Sequence, residues 1–383
     1  MTGGLQPALA RLIAGQIFLH ACMAGTRMAA PLLALRSGQS EAAVGVLLAL
    51  FALTQVFLAL PAGRFADRHG VKRPVGYAVI AASIGAGLAA AWPVFPVLCV
   101  AALLTGGATG AAVIALQRHV GRAAENPTQL KQVFSWLAIG PAVSNFIGPF
   151  AAGLMIDLAD FWLAFLLMAA LPLVAWLWVR NVKELPPVVR PASAGRSKAW
   201  DLLGEPGFRR LLIVNWLLAS CWDVHTFVVP VLGHERGLSA SVIGTILGAF
   251  AVAAALVRLA LPLLAAQLRE RVVVSTAMLA TALLFAIYPL MRGAFGMGLC
   301  SVLLGVALGS VQPMIMSMLH QITPEHRHGE AVAMRLMAIN ASSVAMPMLF
   351  GAAGAFIGIS GVFWIVGAAV GAGARTALRL GRH

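Results

Sequence analysis

Asp223 lies about 12 residues, or ~18 Å of helix, inside an otherwise apolar stretch that begins near residue 211. A carboxylate at that depth is costly unless it is paired or protonated, so it is the strongest candidate for chemistry in the chain. Gln16, His20 and Arg27 sit in another apolar stretch at spacings of four and seven, which places them on one helical face. A carboxylate, an imidazole and a guanidinium inside apolar segments can take up, relay and release protons. In that chemistry Asp223 is the protonation site, Arg27 its counter-ion and His20 a relay. The alternative is a static ion pair that only satisfies two buried charges. Gln55, Asn145, Asn215, Thr226, Gln312, Asn340, Trp136, Trp216 and Trp222 are candidates for lining a substrate cavity, although amides and aromatics also glue membrane helices. His225, two residues from Asp223, points off that face and is expected to be structural. Arg258 is expected to snorkel to the headgroups. His320, His326 and His328 share no ligand spacing and read as a solvated loop rather than a metal site. The four cysteines (Cys22, Cys99, Cys221, Cys300) have no paired spacing, so neither disulfide, metal nor cofactor is expected.

The elements that must position these residues are set by composition. Of 383 residues, 60% are hydrophobic and 10% charged, which excludes a soluble globule of this size. Twelve stretches approach the roughly 20 apolar residues that cross a bilayer: 12–35, 41–62, 74–91, 95–117, 132–156, 161–179, 211–233, 241–264, 272–291, 295–319, 336–357 and 361–374. The net charge of +14 would suit nucleic acid in a soluble protein, but here it sorts by side. Of the 27 Lys and Arg, 22 fall on the side of the termini, three (Arg36, Arg236, Arg292) on the other and two (Arg27, Arg258) within spans. That asymmetry places both termini in the cytoplasm and leaves no need for nucleic acid.

Loop 180–210 carries seven basic residues with Pro186, Pro187, Pro191, Ser193, Gly195 and Ser197. It reads as a cytoplasmic linker, 181–210, between a six-helix bundle over 1–180 and another over 211–383. A shift of 199 residues aligns the halves, pairing Cys22 with Cys221, Pro31 with Pro230, Gly38 with Gly237, Ser40 with Ser239, Gly45 with Gly244 and Phe51 with Phe250. Gly106 and Gly110 recur as Gly305 and Gly309, a small-xxx-small pattern that lets helices approach closely. The fold class is therefore an all-α polytopic membrane protein with twelve transmembrane helices in two pseudo-symmetric six-helix bundles. Such duplication suits a transporter that rocks one half against the other.

The loop between the second and third spans reads Gly63-Arg64-Phe65-Ala66-Asp67-Arg68-His69-Gly70-Val71-Lys72-Arg73. It resembles the signature G-x-L-A-D-R-x-G-R-K-x of the major facilitator superfamily, and the twelve-span pattern extends that resemblance over the chain. The resemblance implies a conformational latch formed by Gly63, Asp67, Arg68, Gly70, Lys72 and Arg73. Val71 departs from the usual basic residue, so one charge of the latch is missing. At the 199 shift Asp67 falls on Ala266, so the second copy is expected to have decayed and the latch to be one-sided. In the fifth span, Ser135, Ser144, Gly148, Pro149, Ala152 and Gly153 are similar to G-x8-G-x3-G-P-x2-G-G of proton-exchanging exporters, with Ser at two Gly positions and Ala at one. This implies tight packing of a helix kinked at Pro149. The arginine that many such exporters carry within the fourth span is absent before Arg118.

The expected function is secondary active transport by alternating access, with proton-coupled export of a small amphipathic or organic molecule. The alternative within transport is uptake of an organic anion into a basic cavity. A polytopic membrane enzyme is disfavoured because no His is followed by Asp at the fifth position, and ATP-driven work because there is no phosphate-binding Gly-Lys-Ser loop. The expected partners are the lipid bilayer, a small-molecule substrate and protons, with a monomer as the expected state. Short loops and an Ala/Gly/Arg-rich composition point to a bacterial inner membrane.

Overall fold

The computed structural model describes residues 5–39, 41–186, 199–238, 240–378 and 380. Residues 187–198 of the linker, together with Ser40, Ser239, Arg379 and Arg382, lie outside them. The described residues form the α-helices α1 (Leu5–Arg36), α2 (Glu41–His69), α3 (Lys72–Ala91), α4 (Phe95–Ala123), α5 (Pro127–Leu137), α6 (Ile139–Ala159), α7 (Phe161–Val179), α8 (Pro206–Glu235), α9 (Ala240–Leu264), α10 (Glu270–Ile287), α11 (Ala294–Ile322) and α12 (His328–Leu378). Among the described residues, ten segments are long and apolar enough to cross a bilayer. The eleventh and twelfth expected spans share α12, which is interrupted at Gly358 (φ 73°, ψ 162°), a conformation that suits only glycine.

The fifth expected span lies within Pro127–Ala159, which is interrupted at Ala138; the break divides it into α5 and α6 and leaves Pro149 inside α6. Pro141 has no N–H to offer the Leu137 carbonyl and its ring crowds that turn, so the break falls three residues before the proline. α5 starts cleanly because Pro127 follows Asn126, whose side chain accepts the Gln129 N–H at 2.9 Å.

The chain forms two compact units whose borders depart from the sequence halves at two places. One unit comprises Met1–Ala124, Ile139–Ala199 and Pro324–Asn340; the other comprises Glu125–Ala138, Trp200–Thr323 and Ala341–His383. Thus α5 packs with second-half helices, and the first turns of α12 pack with first-half helices. In the first unit α2 and α3 pack on α4, and α1 packs on α6 and α7. In the second, α9 and α10 pack on α11, with α5 seated against α9 and α11.

The repeat is visible in backbone detail. Gly38 and Gly237 both turn the chain with positive φ (80° and 70°). A Cβ on Gly106 would collide with the Phe51 carbonyl, and one on Gly305 with the Phe250 carbonyl, so the same close crossing of two helices occurs in each unit. Large apolar side chains such as Phe57, Phe146, Leu263 and Phe295 stay mostly exposed, which a bilayer covers and water would not tolerate.

Candidate functional site

In the first unit, α2 ends at His69, Gly70 turns the chain at φ 73°, and α3 begins at Lys72. The Glu184 carboxylate caps α3 by accepting the Val71 N–H at 3.2 Å and the Lys72 N–H at 2.7 Å. One turn back, Asp67 collects three donors. Its Oδ1 accepts from Arg118 Nε at 2.5 Å and from the Gly329 N–H at 2.9 Å, and its Oδ2 accepts from the Glu330 N–H at 3.2 Å. Gly329 and Glu330 open α12, where unpaired N–H groups and the helix dipole favour an anion. The Arg118 side chain is only 2% exposed and that of Asp67 9%, so the pair is largely shielded from solvent. Close approach depends on glycine: a Cβ on Gly63 would strike the Gly329 carbonyl, and one on Gly329 the Gly63 carbonyl. Glu330 is held in turn by Arg64 and Arg327, each at 2.9 Å. Arg68, Lys72, Arg73 and Arg122 line a cavity of about 450 Å³ together with Asp67, Arg118 and Glu184.

Inside the spans of the first unit, Gln16 is buried against Gly140, and its Oε1 has no partner among the described residues. His20, one turn on, is hydrogen-bonded to the Asn145 side chain of α6, while Arg27 is exposed. Ser144 donates to the Ile17 carbonyl at 3.1 Å, and a Cβ on Gly148 would strike the Ala21 carbonyl. Small residues thus bring α6 onto α1. Pro149 lies within α6, and Gly153 faces Met28 on α1. Gln55 on α2 meets Gly110 on α4, and Asn340 is half-buried in α12.

In the second unit Asp223 is half-buried on α8, with the Ser343 hydroxyl 3.4 Å from each carboxylate oxygen. Thr226 is exposed and donates back to the Trp222 carbonyl at 3.0 Å, Asn215 is buried, Gln312 is half-buried, and Trp136 and Trp216 are exposed. Arg258 does not snorkel. It is 9% exposed, sits 5.5 Å over the Trp222 ring, and donates to the carbonyls of Ala138 (3.3 Å) and Gly309 (3.4 Å). The Ala138 carbonyl sits at the break between α5 and α6, next to the Leu137 carbonyl that Pro141 leaves without its N–H donor. That requirement draws the guanidinium inward. His225 turns to Ser301 (2.9 Å), which also meets the Tyr288 hydroxyl (2.8 Å), and stacks on Phe250. Among the described residues, no group of His, Cys, Asp or Glu is disposed to hold a metal.

The Major Facilitator Superfamily sequence model matches residues 12–222 and 211–380. The chain belongs to the major facilitator superfamily. It is a multi-pass membrane transporter, not an enzyme. Solved structures of the same fold include a bacterial homologue of the iron transporter ferroportin in an outward-facing state, with 16% identity, a TM-score of 0.80, and coverage of 97% of this chain and 99% of that one. The human organic anion transporter MFSD10 has 15% identity and a TM-score of 0.79 over 97% of this chain and 99% of its own. The E. coli fucose:proton symporter has 14% identity and a TM-score of 0.81 over 99% and 100%. No curated protein matches the sequence.

For this facilitator-superfamily transporter, three residues that hold the α2–α3 turn and the start of α12 escape a reading of the sequence. Arg118 is 51 positions from Asp67 at the far end of the fourth span, and no local spacing signals their pairing. Glu330 follows Arg327 by three in a loop otherwise read as solvated. Glu184 opens the linker, where its negative charge is hidden among basic neighbours.

Proposed function

We propose that this transporter works by alternating access and exports a small amphipathic or organic molecule in exchange for protons. Proton coupling rests above all on Asp223, a carboxylate deep in a membrane helix whose near partner among the described residues is a neutral hydroxyl. The protonated acid suits a dry setting, and the carboxylate suits one reached by water or by a cation. Alternating access exposes Asp223 to each in turn, with Arg27 as the cation and His20 as a relay. Export is supported by the small-residue contact of Ser144 and Gly148 with α1, the feature that resembles proton-exchanging exporters. In this reading Asp67 is the latch, and α12 seated on it is the closed cytoplasmic gate. The latch and both termini face the cytoplasm of a bacterial inner membrane, and the monomer is the working unit.

The test is flux into proteoliposomes containing an internal pH indicator, across a chemically diverse panel of solutes. Coupled transport predicts proton movement only with the solutes that are carried. Solute flux without proton movement would make the protein a uniporter. A folded protein that turns a solute into product without moving it would end the transport reading.

Uptake of an organic anion is favoured by one observation, Arg258. A guanidinium this buried, with two long bonds to carbonyls and no carboxylate partner among the described residues, leaves positive charge that an anionic substrate would neutralise.

A further inference from the structure

The second unit contains a counterpart of the latch that the sequence conceals. The 199 shift carries Asp67 onto Ala266, which is why the signature reads as lost, but it also carries Gly63 onto Pro262, Val71 onto Glu270, Arg118 onto Ser317 and Glu330 onto Lys131. These equivalents meet. Lys131 on α5 is 5% exposed, donates to the Leu268 carbonyl at 2.6 Å, and lies 3.8 Å from Glu270 Oε1. Glu270 Oε1 also accepts from the Ser317 hydroxyl at 3.1 Å and from Gln321 Nε2 at 3.0 Å. Beside them, Gln132 Nε2 donates to the Pro262 carbonyl at 3.2 Å.

The two arrangements match in position and oppose in sign. In the first unit the entering helix brings Glu330 and free N–H groups, and the receiving elements bring Arg64, Asp67 and Arg118. In the second the entering helix brings Lys131, and the receiving elements bring a carbonyl, Glu270 and Ser317. In both, the entering segment belongs by sequence to the other half, so its covalent neighbour lies in the other unit. A buried ammonium is expensive unless it is bonded, so Lys131 holds α5 in this seat and resists leaving it.

We propose that Lys131 and Glu270 form a second gate of reversed polarity, which seats the start of the fifth span as Asp67 seats the start of the eleventh. This makes the latch two-sided and assigns Lys131 and Glu270 as positioning residues for the access change. The inference rests on the alternating-access reading, and its test separates the two.

In a background lacking the four native cysteines, Leu130→Cys reports on the α5 seat and Thr226→Cys on the opposite side of the membrane. Both are labelled with an impermeant maleimide applied from the appropriate face. Lys131→Gln is expected to raise labelling at position 130 by about tenfold and to lower labelling at 226 in parallel. The exchange Lys131→Glu with Glu270→Lys is expected to recover only part of both changes, because it restores the ion pair but a carboxylate at position 131 cannot donate to the Leu268 carbonyl. Lys131→Arg, which keeps the donor and folds in the same place, is expected to stay near the parent. A rise at 130 without a fall at 226 would make the pair ordinary packing. Unchanged labelling at both sites in folded Lys131→Gln would remove the second gate outright. If the paired response holds but the parent protein moves no solute, the gate stands and the transport reading fails.

Discussion

Asp67→Asn removes one charge from the proposed latch while keeping the side chain's size. The carboxylate accepts three N–H groups, from Arg118, Gly329 and Glu330. An amide oxygen can still accept from the α12 N-terminus, but its NH2 group faces donors, and Arg118 is left without its counter-ion. Both side chains are at least nine-tenths buried, so solvent screening recovers little. Orphaning a buried ion costs about 3–5 kcal/mol when nothing compensates. With water reaching Arg118 once α12 leaves its seat, about 2–3 kcal/mol of that falls on the seated state alone, within the roughly 1.5–3 kcal/mol of a charged hydrogen bond. At about 1.4 kcal/mol per tenfold, the seated form should lose population relative to the open form by about 30- to 150-fold. Ala333→Cys in the cysteine-free background reports this directly, because Ala333 is fully buried against Gly63. Maleimide labelling at 333 should accelerate by at least tenfold and turnover should fall, with membrane insertion retained. Unchanged labelling and unchanged turnover would reduce the loop to a topology signal.

Gly106→Val and Gly305→Val should each destabilise their unit by about 1–3 kcal/mol in thermal unfolding in detergent, because both place side-chain atoms into a facing carbonyl. Gly248→Ala, with open space around it, should be neutral or slightly stabilising; equal losses at all three sites would contradict the close-crossing account. Arg258→Gln should raise the KM for anionic solutes by about 10- to 100-fold and leave neutral solutes unaffected if the anion reading holds, as expected for losing about 1.4–2.8 kcal/mol of ion pairing. Equal losses for both classes would make Arg258 a clasp on the α5–α6 break. Arg27→Cys with Asp223→Cys, in the same background, should cross-link through a short bifunctional reagent; failure with reagents of every length in folded protein would place the two polar stripes on separate surfaces.

Features carried by local chemistry were legible before the fold was known. Gly38 and Gly237 marked matching turns, Gly106 and Gly305 marked matching crossings, and the Gly63–Asp67–Gly70 frame marked the loop that meets α12. Features created by tertiary contact were not. Arg118 gives no sign of Asp67 because the pairing exists only when α4 lies beside α2. Lys131 and Glu270 were hidden because the acid moved four positions from its equivalent in the first half, and a repeat read by identity cannot follow a contact that changes sign. The break at Ala138 follows from Pro141, which withholds an N–H from the preceding turn, whereas Pro149 lies inside α6. Arg258 looked free to reach the headgroups until its carbonyl partners at that break were known.

Proton coupling through Asp223 is most directly tested by Asp223→Asn in proteoliposomes, assayed in two modes on one preparation. Under an imposed proton gradient the variant should fail to accumulate substrate, because the amide cannot release a proton. In counterflow at equal pH it should still exchange substrate, because the amide imitates the protonated acid. Accumulation by Asp223→Asn against a substrate gradient under a proton-motive force would contradict the account and leave Asp223 as a residue that only joins α8 to Ser343 of α12.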